Sequence, residues 1–130
     1  MNAQTEQTIR EVFLASHEGR IHFGRVVETL LGIGMESYQV DYRACRTTYY
    51  GSDETLTLDQ DGPEAAIAED FDKAVLQAAI VGSQQGRVMY PEFKRLSQAA
   101  GCIGYTVWFT GRHVSYFGRK GEVHVERFPD

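Results

Sequence analysis

Four side chains near the end of the chain are of the types that do acid–base or metal chemistry. They are His113, Glu122, His124 and Glu126, within HVSYFGRKGEVHVERF. Glu122, His124 and Glu126 occupy alternate positions, and alternate residues of a strand share a face. With GRKG as a turn, they are expected opposite Phe117, Ser115 and His113 respectively. His113–Glu126 and Ser115–His124 then become cross-strand neighbours with Cβ atoms ~5 Å apart. A carboxylate beside an imidazole can orient it or hold its proton, as a general base or a metal ligand requires. The same pairs also occur on solvated antiparallel faces, each contributing about 0.2–1 kcal/mol to the sheet. These four residues are therefore candidates for catalysis, and the wet face of a sheet accounts for them equally in kind. No metal set and no cofactor is assigned.

The other reactive residues have weaker patterns. Cys45 and Cys102 lack metal-ligand spacing and are expected to be free thiols. Arg43 and Arg46 flank Cys45 in a turn, and such cations lower a thiol pKa, but no base or orienting group can be matched to it. His17 and His22 are five apart, a spacing that does not align two ligands on one helical face, and cap or surface roles are expected. Gly32 and Gly34 run from helix to strand, the reverse of a phosphate-binding loop. Neither GxSxG nor HExxH occurs.

The elements that must position these residues come in two similar sets. Displacing the chain by 67 residues aligns Ser16 with Ser83, Gly19 with Gly86, Arg20 with Arg87 and Gly34 with Gly101. It also aligns Tyr38 with Tyr105, Val40 with Val107, Tyr49 with Tyr116 and Gly51 with Gly118. Chance would supply roughly two or three such identities. Each half reads as helix, helix and three-stranded meander, with apolar residues at helical spacing followed by alternation. The expected fold is α+β: two tandem helix–helix–β-meander halves, about 4–61 and 69–129, related by a pseudo-two-fold and sharing one core. They are joined by a polar linker at about 59–68, in a single domain.

Alternation also sorts the strand residues by face. With Gly111 and Arg112 at the centre of the hairpin turn, Tyr105, Val107, Phe109, Val114 and Tyr116 share the core face. Tyr38, Val40, Tyr42, Thr47 and Tyr49 do so in the first half. The opposite face of the second half carries Thr106, Trp108, His113, Ser115 and Phe117. Large aromatics on a nominally wet face point to a covered or ligand-binding surface, so Trp108, Phe117 and Ser115 are the expected binding or interface residues. The first half offers Thr55, Thr57 and Asp59 where the second has Glu122, His124 and Glu126.

Composition excludes several classes. The chain has 130 residues, 42% hydrophobic and 24% charged, which is ordinary globular usage. Its formal net charge of −5, with scattered Lys and Arg, argues against nucleic acid as a partner. No stretch approaches the ~18 apolar residues of a membrane span. The N-terminal stretch MNAQTEQTIREVF lacks an export signal, so a soluble cytoplasmic protein is expected.

TTYYGSDETLTL, the long second-half string from QQGRVMYPEFKRL to VHVERFP, and the Gly34–Tyr38–Val40 set resemble an uncharacterised bacterial family. Its members occur in chromosomes and prophages and are often labelled "phage envelope protein". The resemblance covers about residues 15–129 and implies phage association, with no catalytic residues to carry over. A non-enzymatic binding or interaction module, as a homodimer or with a protein partner, is the leading expectation. A small metal-dependent or acid–base enzyme and a phage structural component are the alternatives.

Overall fold

A computed structural model describes residues 1–62 and 65–129. Helices α1 (Ala3–His17) and α2 (Phe23–Gly32) precede strands β1 (Ser37–Asp41), β2 (Arg46–Tyr50) and β3 (Thr55–Asp59). Helices α3 (Lys73–Gln84) and α4 (Tyr90–Ala99) then precede β4 (Cys102–Trp108), β5 (His113–Gly118) and β6 (Val123–Arg127). The six strands form one antiparallel sheet in the order β3-β2-β1-β4-β5-β6. The fold is α+β, as expected.

Local chemistry sets the helix limits. The Asn2 side chain accepts from Thr5 N at 2.8 Å and Asp72 accepts from Val75 N at 3.1 Å. Each such cap stabilises its helix by about 1 kcal/mol. Helix α4 has no side-chain cap and instead starts with Pro91 in its first turn, where the missing N–H costs nothing.

Period-two alternation places one face of the sheet against the helices. Tyr38, Val40, Tyr49, Tyr105, Val107, Val114 and Tyr116 join Ile9, Leu30, Leu76, Ile80 and Phe93 in one buried cluster. The β4–β5 hairpin is centred one residue earlier than expected, with Trp108 opposite His113. Moving the turn centre by a whole residue shifts the pairing by two, so every side chain keeps its expected face.

At the centre of the sheet Gln39 pairs with Thr106, and Tyr38↔Val107 and Val40↔Tyr105 flank that pair symmetrically. Backbone devices recur 67 residues on. Gly34 and Gly101 have φ of +85° and +88°, and Cys45 and Arg112 both have +57°.

Described residues between β3 and α3 are docked along one face of α4. Lys94 Nζ donates to the carbonyls of Asp61 (3.2 Å) and Gly62 (3.0 Å), and Ala65 N donates to Gln98 Oε1 (3.1 Å). This docking explains why α4 buries Lys94, Ser97 and Gln98. Buried polar groups are stable when hydrogen-bonded. Positions 67 earlier, Val27, Leu30 and Leu31, carry no such polar set.

Candidate functional site

The second meander differs from expectation at its last strand. β6 pairs with β5 as Phe117↔Val123, Tyr116↔His124, Ser115↔Val125, Val114↔Glu126 and His113↔Arg127. This is one residue away from the expected register, and a one-residue slip exchanges the faces of a strand. The expected neighbours His113–Glu126 and Ser115–His124 are therefore not formed. The cause is the turn. In the first half Gly51 N donates to Glu54 O, whereas in the second Gly118 N donates to Glu122 O, one residue further on. Gly121, with φ of +84°, takes up the extra residue. Beyond the turn the halves match at a displacement of 68, so His124 and Glu126 stand where the first half has Leu56 and Leu58.

His124 and Glu126 consequently face the helices. His124 Nε2 lies 3.1 Å from Glu126 Oε2, and Gln77 Nε2 of α3 donates to Glu126 Oε1 at 3.1 Å. The His124 ring packs on Tyr116 with centroids 6.3 Å apart. Glu122 is spent on the turn, where its Oε1 accepts from Lys120 N at 2.8 Å. His113 lies on the other face with its ring 6.4 Å from Trp108 and its Nδ1 3.1 Å from Gly111 O. Of the four candidate catalytic residues, the fold brings together only His124 and Glu126. Among the described residues, no group of three or more His, Cys, Asp or Glu is placed to hold a metal ion.

Trp108, Ser115 and Phe117 do share the outer face, and the shifted register adds Val123 and Val125 to it. Trp108 is 42% exposed and Val125 54% exposed. This face is more apolar than alternation with the expected register indicates, because valines replace the acidic and histidine stripe.

The other notable feature lies on the inner face. A chamber of about 50 Å³ sits between helices and sheet, with room for about three to five waters at ~10–15 Å³ each. Tyr38, Tyr49, Tyr105 and Tyr116 line it. The two pairs repeat one geometry, with centroids 5.5 Å apart for Tyr38–Tyr49 and 5.4 Å for Tyr105–Tyr116. All four are at most 6% exposed, and none of their hydroxyls bonds to a described residue. Tyr42, buried nearby, does bond, at 2.8 Å to Ser97 Oγ. Burial pushes the four chamber phenols well above the usual tyrosine pKa. They stay protonated near neutral pH and serve as donors, not bases.

His17, expected at a cap or surface, joins this chamber wall at the end of α1. Its Nδ1 lies 2.8 Å from Phe13 O and can only donate there. Burial lowers its pKa, and the Lys94 ammonium adds to this, while the bonds to Phe13 and Gln60 and the Asp61 charge oppose it. The neutral ring so anchored presents an Nε2 lone pair to the Gln60 amide 3.4 Å away, which also meets Thr47 Oγ1 at 2.9 Å. A lone pair is matched when the amide turns its NH₂ group toward the ring. The Tyr90 ring lies against His17 at a tilt of 57°, with centroids 4.7 Å apart. His22, by contrast, caps α2, its Nδ1 accepting from Arg25 N at 3.4 Å.

Sequence alternation correctly places the chamber tyrosines inward but cannot show that their hydroxyls make no bond to another described residue. His17 is reached through tertiary packing, and spacing carries no sign of it. Four antiparallel-sheet tyrosines and His17 surround a small, mostly apolar space between the helices and the sheet of a two-layer α+β protein. Residues 22–127 match the family described as "Protein of unknown function (DUF1398)", and the chain belongs to that family. No curated protein matches the chain. Among the described residues, no helix is long and apolar enough to cross a membrane.

Proposed function

We propose that this is a cytoplasmic, bacterial or prophage-encoded, non-enzymatic binding protein, and that its ligand is a small molecule held in the tyrosine chamber. One observation carries the reading: four buried phenols share one chamber wall without a hydrogen bond to any described residue. Their hydroxyls are not among the fully buried unpartnered atoms, so each keeps some accessible surface. A molecule in the chamber supplies the missing partners. The protonated state of the phenols favours recognition over acid–base chemistry.

The chamber straddles the relation between the halves, which supports an origin by duplication. Ser16 and Ser83, Tyr38 and Tyr105, and Tyr49 and Tyr116 all line it, each pair 67 positions apart. A duplicated fold with a site on its pseudo-axis uses both halves to build one wall.

A thermal-shift panel of small uncharged molecules tests this reading. A ligand that raises the midpoint while leaving the emission of Trp108, the sole tryptophan, unchanged supports it. A panel in which every stabilising compound shifts Trp108 emission instead would move the site to the outer face.

That face carries a second reading. Trp108, Phe117, Val123 and Val125 form an uncovered apolar surface, suited to a second copy or another protein. Sedimentation velocity of the wild type and the Trp108→Ser/Phe117→Ser double variant decides it. A mass that stays monomeric in both would remove the homodimer.

A further inference from the structure

The sheet ends at β6 in an edge whose sequence complements itself. We infer that two copies of this chain pair there, β6 against β6 about a two-fold at Val125, and extend their sheets into one.

The ladder decides which backbone groups are open. Gly118 N donates to Glu122 O and Phe128 N donates to Arg112 O, each at 2.9 Å. The even-numbered residues of this stretch therefore turn their backbone groups toward β5. Backbone direction alternates along an antiparallel strand, so Val123, Val125 and Arg127 turn theirs away from it. β6 is the last strand in the sheet order, which leaves these groups at the rim. Gln84 Nε2 donates to Arg127 O at 3.4 Å, and that carbonyl keeps a second lone pair. Such a rim is a template for another strand.

The side chains select the register. A two-fold at Val125 sets Val125 beside its own copy, and Val123 beside Arg127 of the second copy, on the outer face. Val123 and Val125 are 47% and 54% exposed in the single chain. On the helix side the same two-fold sets His124 beside Glu126 of the second copy, twice over, and an imidazole N–H can donate to that carboxylate. Moving the two-fold to His124 opposes Glu126 to Glu122, and moving it to Glu126 opposes that carboxylate to itself. Like charges directly opposite are unfavourable. Only the register at Val125 gives the reciprocal contacts of an isologous dimer without such a clash.

The other edge is closed to this pairing. β3 lies in DETLTLDQD, where Asp53, Glu54, Asp59 and Asp61 stand with no Lys or Arg among them. Two copies joined there would set carboxylates against carboxylates, and charged side chains are one way sheets blunt an edge. Where β3 has Thr55, Thr57 and Asp59, β6 has Val123, Val125 and Arg127.

Sedimentation velocity of the full chain should show a dimer that Trp108→Ser/Phe117→Ser retains. His124→Glu should shift it toward monomer, and His124→Glu/Glu126→Lys should restore it by returning opposite charges to the facing positions. Oxidation reads the register directly. Cα atoms of a hydrogen-bonded pair lie ~5.5 Å apart, within the ~4.4–6.8 Å that a disulfide spans. Val125→Cys should therefore form covalent dimers above the wild-type background, and Val123→Cys should not. A monomeric wild type, or equal cross-linking of the two cysteine variants, overturns the inference. A dimer lost in Trp108→Ser/Phe117→Ser but unchanged in His124→Glu places the association on the outer face and overturns it as well. The cysteine pair decides the matter should His124→Glu fail to fold, and no outcome bears on the chamber.

Discussion

Replacing buried tyrosines by phenylalanine, one at a time, separates hydroxyls that hold the fold from hydroxyls left for a ligand. Tyr42 shares a 2.8 Å hydrogen bond with Ser97 Oγ, and Ser97 Oγ is itself 3.1 Å from Lys94 O. Ser97 donates to that carbonyl, so Tyr42 is the donor to Ser97. Tyr42→Phe removes one buried bond and leaves a serine lone pair unmatched, a loss of about 1–2 kcal/mol. For a chain of this length that lowers the midpoint by about 3–6 °C. Tyr38, Tyr49, Tyr105 and Tyr116 have no such bond to lose among the described residues, and their replacement should cost less than about 0.5 kcal/mol. The order reverses for ligand binding: the four chamber variants weaken a ligand found in the thermal-shift panel, and Tyr42→Phe does not. Urea denaturation followed by circular dichroism measures the first set, and calorimetry the second. If Tyr49→Phe and Tyr116→Phe destabilise as much as Tyr42→Phe, those hydroxyls belong to the scaffold and the reasoning fails.

Other outcomes follow from single features of the structure. Gly101→Ala should destabilise well beyond Gly34→Ala, although both have similar positive φ. An added Cβ at Gly101 meets the backbone of Asp70 and Phe71, whereas at Gly34 it meets nothing. Denaturant midpoints should show Gly34→Ala losing about 1–2 kcal/mol from conformation alone and Gly101→Ala losing more. For His17, whose folded pKa lies below the ordinary histidine value of about 6.5, the unfolded chain takes up the proton first as pH falls. Stability should therefore drop from pH 6.5 down through the folded pKa and then level off. His17→Gln should remove that slope in a pH series of urea melts. His124→Leu/Glu126→Leu should stay folded within about 1 kcal/mol of wild type and remain no more self-associated, since leucines occupy these inward positions in the first half. Increased aggregation by light scattering would instead put both residues on the open face. Cys102, buried with its thiol pushed up to about 11, should resist a thiol reagent until unfolding, while half-buried Cys45 reacts in the native protein.

The helices, the first hairpin and the faces of β4 and β5 were legible because periodicity and glycine stops determine them. The β4–β5 turn was misplaced by one residue without consequence, since parity was preserved. At β6 one inserted residue at Gly121 reversed parity, and an ungapped comparison of the halves cannot register it. The acid–histidine stripe thus came to face α3, and two valines replaced it outside. The chamber was hidden for another reason. Alternation marks Tyr38, Tyr49, Tyr105 and Tyr116 as inward, and inward aromatics ordinarily pack. Only three-dimensional placement shows these four residues and His17 lining one space.

The central claim, that the inner chamber is the binding site, is tested most directly by NMR on protein labelled with ¹³C in its tyrosine rings. The seven tyrosines and the single Trp108 indole are followed during titration with a ligand from the thermal-shift panel. The account predicts saturable shifts at Tyr38, Tyr49, Tyr105 and Tyr116, with the outer-face Tyr50 and Trp108 unmoved. Shifts confined to Tyr50 and Trp108, or no saturable shift at any tyrosine, would contradict it.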